Sequence, residues 1–189
     1  PKLVQADTQV SAEKAASEYE RLTKQEGAKI VIGPMEVKGT EAVATKSVEI
    51  RVPFISFTKK AGIPGLSSVL FRLGVTADNQ VEELINYAVD VLHFSRLSMV
   101  YPDNDAGHEY AVAFQDYLSQ RGVELVKMAN YQANQPQRVQ QAIVDLGDDV
   151  GDALFVADSL ENARPIILAL RTKGIKATLL GPALWNDST

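Results

Sequence analysis

Apolar and polar positions along this chain follow two alternating rhythms. Short unbroken apolar runs mark buried strands, and apolar residues spaced three or four apart mark amphipathic helices. Lys2 to Ala6 is a first, short strand candidate, followed by the polar turn Asp7-Thr8-Gln9. Ser11 is placed to cap the next helix, with Glu13 in its positive first turn. Ala12, Ala15, Ala16, Tyr19 and Leu22 then recur at helical spacing, and Gly27 is the expected left-handed stop. The pattern continues as a strand over Lys29 to Ile32, a helix over Gly39 to Glu49, a strand over Val52 to Phe57, a loop over Ala61 to Ser68 and a strand over Val69 to Leu73. Asp78 opens a strong helix carrying Val81, Leu84, Ile85, Ala88, Val89 and Leu92. Three more strands, Leu97 to Tyr101, Val123 to Ala129 and Asp152 to Ala157, alternate with helices over Glu109 to Gln120, from Pro136, and over Leu160 to Lys173. Ala177 to Leu180 is the last strand.

Strands alternating with helices of this length imply right-handed βαβ units and a mostly parallel sheet. About seven core strands fit one sheet. The glycine- and proline-rich loop after Ala61 and the strand beyond it favour two lobes instead, 1–75 and 76–189, with the crossover near Gly74 to Ala77. In open sheets of this class, ligands sit at the carboxyl ends of strands. The segments after Pro34 and after Ser56 are therefore the first places to look for a site.

Composition narrows the function classes. The chain has 189 residues, 46% hydrophobic and 23% charged, with a formal net charge of -5 and no cysteine. Disulfides, thiolate metal sites and thiol nucleophiles are excluded. No cluster of Lys and Arg marks a nucleic-acid footprint. No run approaches the roughly 18 apolar residues of a membrane span, and no signal peptide is visible. The chain starts at Pro1 without Met, which predicts that an N-terminal portion has been removed.

Candidate chemistry is sparse. Gly33-Pro34 with Gly39 lacks the spacing of a dinucleotide or phosphate loop and reads as a plain strand-to-helix turn. Asp103, Asp105, His108 and Glu109 fail the calcium-loop spacing and read as a solvated turn before a helix. His93 closes a helix, and a positive group there suits the helix dipole. No nucleophile elbow, acid–base pair or metal set is recognisable, so an enzyme is not expected, nor a cofactor. Lys59 and Lys60 directly follow a strand end and are placed to hold an anion, although such a pair is ordinarily a solvated loop. Tyr101, Asp158 and Trp185 also follow or end strands, where aromatics make good ligand platforms.

Read together, these segments resemble the type I periplasmic binding protein family, in its leucine/isoleucine/valine-binding branch. The likeness runs through Asp7-Thr8-Gln9 before an Ala-rich helix, Ile32-Gly33-Pro34, Pro53-Phe54-Ile55-Ser56, Phe71-Arg72 with Gln80, Tyr101-Pro102-Asp103 with Gly107, and Leu179-Leu180-Gly181 with Trp185. No single motif is specific; their order and spacing over nearly the whole chain are. The resemblance implies an α/β, two-lobed fold with parallel sheets flanked by helices and a ligand cleft between the lobes. It also implies truncation at both ends, with a first strand and helix missing before Lys2. A first lobe without that strand would expose edges that invite pairing, so a homodimer or strand exchange through unpaired strand edges, or a fragment cut from a longer protein, is expected.

Mapped on the resemblance, the ligand-binding candidates are Met35, Glu36, Ser56, Phe57, Thr58, Lys59, Lys60, Tyr101, Asp103, Ala106, Asp158, Ser159 and Trp185. Several depart from the amino-acid binders. Glu36 and Val37 stand where serines are usual, Lys59 and Lys60 where an alanine and a threonine hold the ligand carboxylate, and Ala106 where an aromatic precedes the glycine turn. Asp158-Ser159 replaces a tyrosine, and Ala183 falls where an acid holds the amino group. The implied function is extracytoplasmic solute binding for an ABC-type transporter, with a membrane permease as partner and a small polar or anionic ligand other than a standard amino acid. The alternative is a periplasmic, lipid-anchored regulator that activates a penicillin-binding protein through protein contacts without a small ligand, a group this chain resembles at Tyr101-Pro102-Asp103 and Phe71-Arg72.

Overall fold

A computed structural model describes residues 2–60, 62–132 and 135–186. Residue 61, where the expected loop begins, lies outside that set. The chain divides into two compact units, Pro1–Thr76 and Ala77–Thr189.

The first unit is built from α1 (Ala12–Lys24), β1 (Val31–Ile32), α2 (Val37–Ile50), β2 (Phe54–Ser56), a 3-10 turn (Ile63–Leu66) and β3 (Leu70–Arg72). Its strands form a parallel sheet in the order β1-β2-β3. The Ser11 hydroxyl accepts from Lys14 N at 3.2 Å, as the capping pattern requires. The stop of α1 is shifted, since Gln25 is the C-cap and the left-handed Gly27 stands two residues beyond it. One face of the sheet is sealed by both helices. Phe54 and Leu70 pack there with Ala15, Tyr19, Val43, Ala44 and Ile63. Tyr19 meets Phe54 edge-on at 5.6 Å and donates its hydroxyl to the Val52 carbonyl. The other face is bare among the described residues. Ile32, Ile55 and Phe71 form one row across the three strands, and Ile32 and Phe71 are 65% and 56% exposed.

The second unit contains α3 (Ala77–Asp90), β4 (Arg96–Pro102), α4 (Asp105–Arg121), β5 (Glu124–Tyr131), α5 (Pro136–Leu146), β6 (Ala153–Val156), α6 (Leu160–Thr172), β7 (Thr178–Leu180) and a closing 3-10 turn (Ala183–Asn186). Its four strands are parallel in the order β5-β4-β6-β7. Both faces are covered, which is why the strands read as continuous apolar runs. Leu97, Met99 and Phe155 face a cluster with Val81, Ile85 and Phe114 from α3 and α4. Val100, Leu154 and Val156 face Ile143, Leu146, Ile166 and Leu170 from α5 and α6. Phe114 stacks on Phe155 at 5.6 Å.

Two expectations need correction. Lys2 to Ala6 is not a strand in this structure, because among the described residues no neighbouring strand stands beside it to accept its ladder. The polar stretch after Pro102 is not all turn. The Asn104 side chain accepts from Gly107 N at 2.9 Å, so α4 starts at Asp105, four residues before the expected Glu109. His93 lies past the end of α3 with a left-handed φ of 58°.

Candidate functional site

The candidate residues collect at the carboxyl ends of the strands of each unit. In the first unit, β1 runs into Gly33-Pro34 and then into α2, whose N-cap is Glu36. The Glu36 carbonyl accepts from both Thr40 N and Thr40 Oγ1 at 2.9 Å. The Thr40 hydroxyl also lies 2.7 Å from Ser56 Oγ, and Ser56 Oγ donates to the Pro34 carbonyl at 3.0 Å while accepting from Thr58 N at 3.1 Å. Two buried hydroxyls thus stitch the end of β2 to the turn after β1. Ser56 and Thr58 are 0% and 2% exposed, and the Thr58 hydroxyl accepts from Lys60 N. Met35, Phe57, Lys59 and Lys60 face solvent. Lys60 Nζ lies 3.2 Å from Glu41 Oε1, whereas Lys59 has no ion pair among the described residues. Arg72, at the end of β3, donates to the Lys60 carbonyl at 3.0 Å rather than to a carboxylate. Near Lys59 the rim thus carries two cations, Lys59 and Arg72, without a carboxylate partner among the described residues. A Cβ on Gly74 would come within 3.0 Å of the Phe57 and Thr58 carbonyls, so the chain passes tightly under this loop.

The second unit presents Tyr101 and Asp103 after β4, Tyr131 at the end of β5, Asp158 and Ser159 after β6, and Trp185 after β7. Asp103 N donates to the Tyr131 carbonyl at 2.7 Å, tying the two strand ends together. Asp103 Oδ1 lies 3.1 Å from His108 Nε2, and His108 meets the Tyr101 ring edge-on at 5.9 Å. Ala106 is exposed on the first turn of α4. The buried Tyr131 donates its hydroxyl to Asp158 Oδ2 at 2.5 Å. Asp158 Oδ1 accepts from Ser159 N at 2.6 Å and from Asn162 Nδ2 at 3.2 Å. Three donors thus satisfy this carboxylate from within the unit. Burial pushes the Tyr131 hydroxyl far above the usual phenol range, and the neighbouring Asp158 charge pushes it further. Trp185 donates its indole N–H to the Asp158 carbonyl at 2.9 Å and lies flat over Gly181, where any Cβ would meet the ring at 2.1 Å. Gln80 of α3 accepts from Ala183 N at 2.9 Å and holds the turn that carries Trp185.

Placing residues at strand ends found Tyr101, Asp158 and Trp185. It passed over Tyr131, which ends the neighbouring strand and carried the same signal, and His108, which was read only as a failed metal ligand. Thr40, Asn162 and Gly181 act through tertiary contacts that no local pattern announces. Among the described residues, no group of His, Asp and Glu is placed to hold a metal ion.

Parallel strands delivering polar and aromatic side chains to carboxyl-terminal rims define an α/β binding architecture. The periplasmic binding protein family profile matches residues 2–189, and the chain belongs to this family. No curated protein matches it. Among solved structures, an ABC transporter substrate-binding protein from Desulfitobacterium hafniense in complex with Leu is similar at 20% identity and TM-score 0.72, over 98% of this chain and 56% of that one. The branched-chain amino acid transporter substrate-binding protein of Streptococcus pneumoniae in complex with isoleucine matches at 23% identity and TM-score 0.66, over 95% and 51%. A solute-binding protein of an ABC transporter from R. palustris in complex with benzoate matches at 18% identity and TM-score 0.65, over 97% and 51%. The chain spans about half the length of these structures.

Proposed function

We propose that this chain is the solute-binding part of an extracytoplasmic receptor serving an ABC-type transporter, and that its ligand is a small anion carrying a carboxylate. Membership of the periplasmic binding protein family supports the class. The ligands named for the three similar structures, leucine, isoleucine and benzoate, all carry a carboxylate. The observation that carries the reading here is Lys59, an exposed ammonium at the carboxyl end of β2 with no acidic partner among the described residues. The hydroxyls that would otherwise serve, Ser56 and Thr58, are buried and engaged. The chain acts by binding rather than catalysis, and a membrane permease is the partner this role calls for.

The test is a thermal-shift and calorimetric screen with amino acids, dicarboxylates and aromatic acids. A hit raises Tm in a saturable way, and Lys59→Ala weakens it about tenfold, the loss of roughly one charge-assisted hydrogen bond. Unchanged affinity in Lys59→Ala removes Lys59 from the site. The second reading, a regulator of a penicillin-binding protein, draws on the engaged Ser56 and Thr58 hydroxyls. It is favoured if no carboxylate shifts Tm while a purified peptidoglycan synthase is bound.

A further inference from the structure

Trp185 sits on the short 3-10 turn Ala183–Asn186, which follows the three-residue strand β7. A turn of that length has too few internal bonds to hold a large ring in one place. The ring is set instead from three outside directions. Gln80, in the first turn of α3, accepts from Ala183 N at 2.9 Å, from a residue 103 positions away in sequence. The Gln80 side chain is itself held, because it also hydrogen-bonds the Tyr110 hydroxyl, and the Tyr110 ring meets Phe155 of β6 edge-on at 5.7 Å. Against the ring lies Gly181, where a Cβ would stand 2.1 Å from the indole. On the third side the indole N–H donates to the Asp158 carbonyl at 2.9 Å.

These constraints decide what the ring can offer. The single polar atom of the indole is turned onto Asp158, within the unit. The polar groups beside it are engaged as well. The Asp158 carboxylate holds Tyr131, Ser159 N and Asn162, and the Ser159 hydroxyl accepts from Asn162 N. β6 and β7 are neighbours in the sheet. Among the described residues, their carboxyl ends present hydrocarbon: the half-buried Trp185 ring and the exposed Leu160 and Leu184 side chains. A large ring that is fixed in advance gives apolar contact with little further loss of entropy on binding.

We propose that Trp185 is the surface on which the second unit receives the apolar body of the solute, and that Gln80 and Gly181 are the positioning residues that hold it there. The inference rests on the reading that the chain binds a small carboxylate. It narrows that class to carboxylates with an apolar body, in preference to those without one. Gln80 acts through the turn it holds, and Gly181 acts by leaving room for the ring, so neither needs to touch the solute.

Two pairs of probes share a carboxylate and differ in apolar body: benzoate with acetate, and leucine with free glycine. Titration calorimetry on the full chain is expected to give the larger member of a pair the tighter binding. Gln80→Leu keeps the bulk, removes both hydrogen bonds and reduces that advantage about tenfold, the size of one aromatic contact. Gln80→Glu keeps an acceptor for Ala183 N and retains most of the advantage. Gly181→Ala displaces the ring without straining the backbone, because the φ of Gly181 lies outside the left-handed region, and it reduces the advantage to a similar degree. Hydrogen exchange at the Ala183 amide and the indole N–H quickens about tenfold in Gln80→Leu and stays slow in Gln80→Glu. A bond that only braced the turn would lower Tm and leave the advantage intact, and that result overturns the inference. So does equal binding within each pair by the unaltered chain, or an advantage lost in Gln80→Leu and kept in Gly181→Ala. Should Gln80→Leu fail to fold, Gly181→Ala carries the same comparison. If none of the four probes binds, the carboxylate reading falls and this inference falls with it. If they bind and both variants leave the advantage unchanged, this inference alone falls.

Discussion

Ser98 sits on β4, one of the two inner strands of the second unit, with its hydroxyl sealed from solvent and without a partner among the described residues. A buried unsatisfied hydroxyl costs about 1–3 kcal/mol. Ser98→Ala removes it and is expected to raise the urea midpoint by about 1 kcal/mol of stability, with an unchanged m-value. Gly107 is constrained in the opposite sense. A Cβ there would lie 1.9 Å from the Pro102 carbonyl oxygen. Gly107→Ala should therefore cost about 1–3 kcal/mol by forcing the start of α4 away from β4, measurable in the same melts. Tyr131 links structure to pH. Its folded pKa lies well above the ordinary phenol value, so the folded state holds the proton more tightly than the unfolded one. The contribution is present below pH 10 and is lost as pH rises beyond it. Tyr131→Phe should flatten the alkaline limb of a stability–pH curve, and an unchanged limb would remove Tyr131 as its source. At this scale the sequence was partly legible. Strand-end position exposed Tyr101, Asp158 and Trp185, but not that Asp158 is satisfied by Tyr131, Ser159 and Asn162, because those bonds join residues up to 27 positions apart.

Helices were legible wherever a cap and an apolar stripe agreed. Ser11 and α1 are the clear case. α4 shows the limit, because its first turn, Asp105 to His108, is polar enough to read as loop. Only the Asn104 cap, with Gly107 tucked under Pro102, shows that it is helical. Asn104→Ala should cost about 1 kcal/mol and fray that turn, seen as loss of amide protection at Gly107. Strands behaved differently, because a strand exists only with a neighbour. Phe54–Ser56 forms between two partners, while Lys2–Ala6, with comparable apolar content, forms none. No pattern within five residues encodes whether a partner is present.

On the scale of the whole molecule, alternation of strand and helix predicted parallel sheets, and the chain divides into two compact units between Thr76 and Ala77. The two units are unequally built. The second buries both faces of its sheet. The first buries one, around a cluster of seven buried side chains, and among the described residues leaves Ile32 and Phe71 exposed on the other. Burial of apolar area is the main favourable term in folding. A fragment covering 77–189 should therefore melt cooperatively by circular dichroism, whereas one covering 1–76 should show a broad transition and bind a hydrophobic dye. A sharp melt in the shorter fragment would contradict this ranking. Finally, Trp185 is the one tryptophan of the chain. Its indole is half-buried, hydrogen-bonded to the Asp158 carbonyl and pressed on Gly181. The protein thus carries a built-in fluorophore that reports on one rim alone, so emission that shifts on adding a carboxylate would mean the solute's influence reaches the second unit, without any attached label.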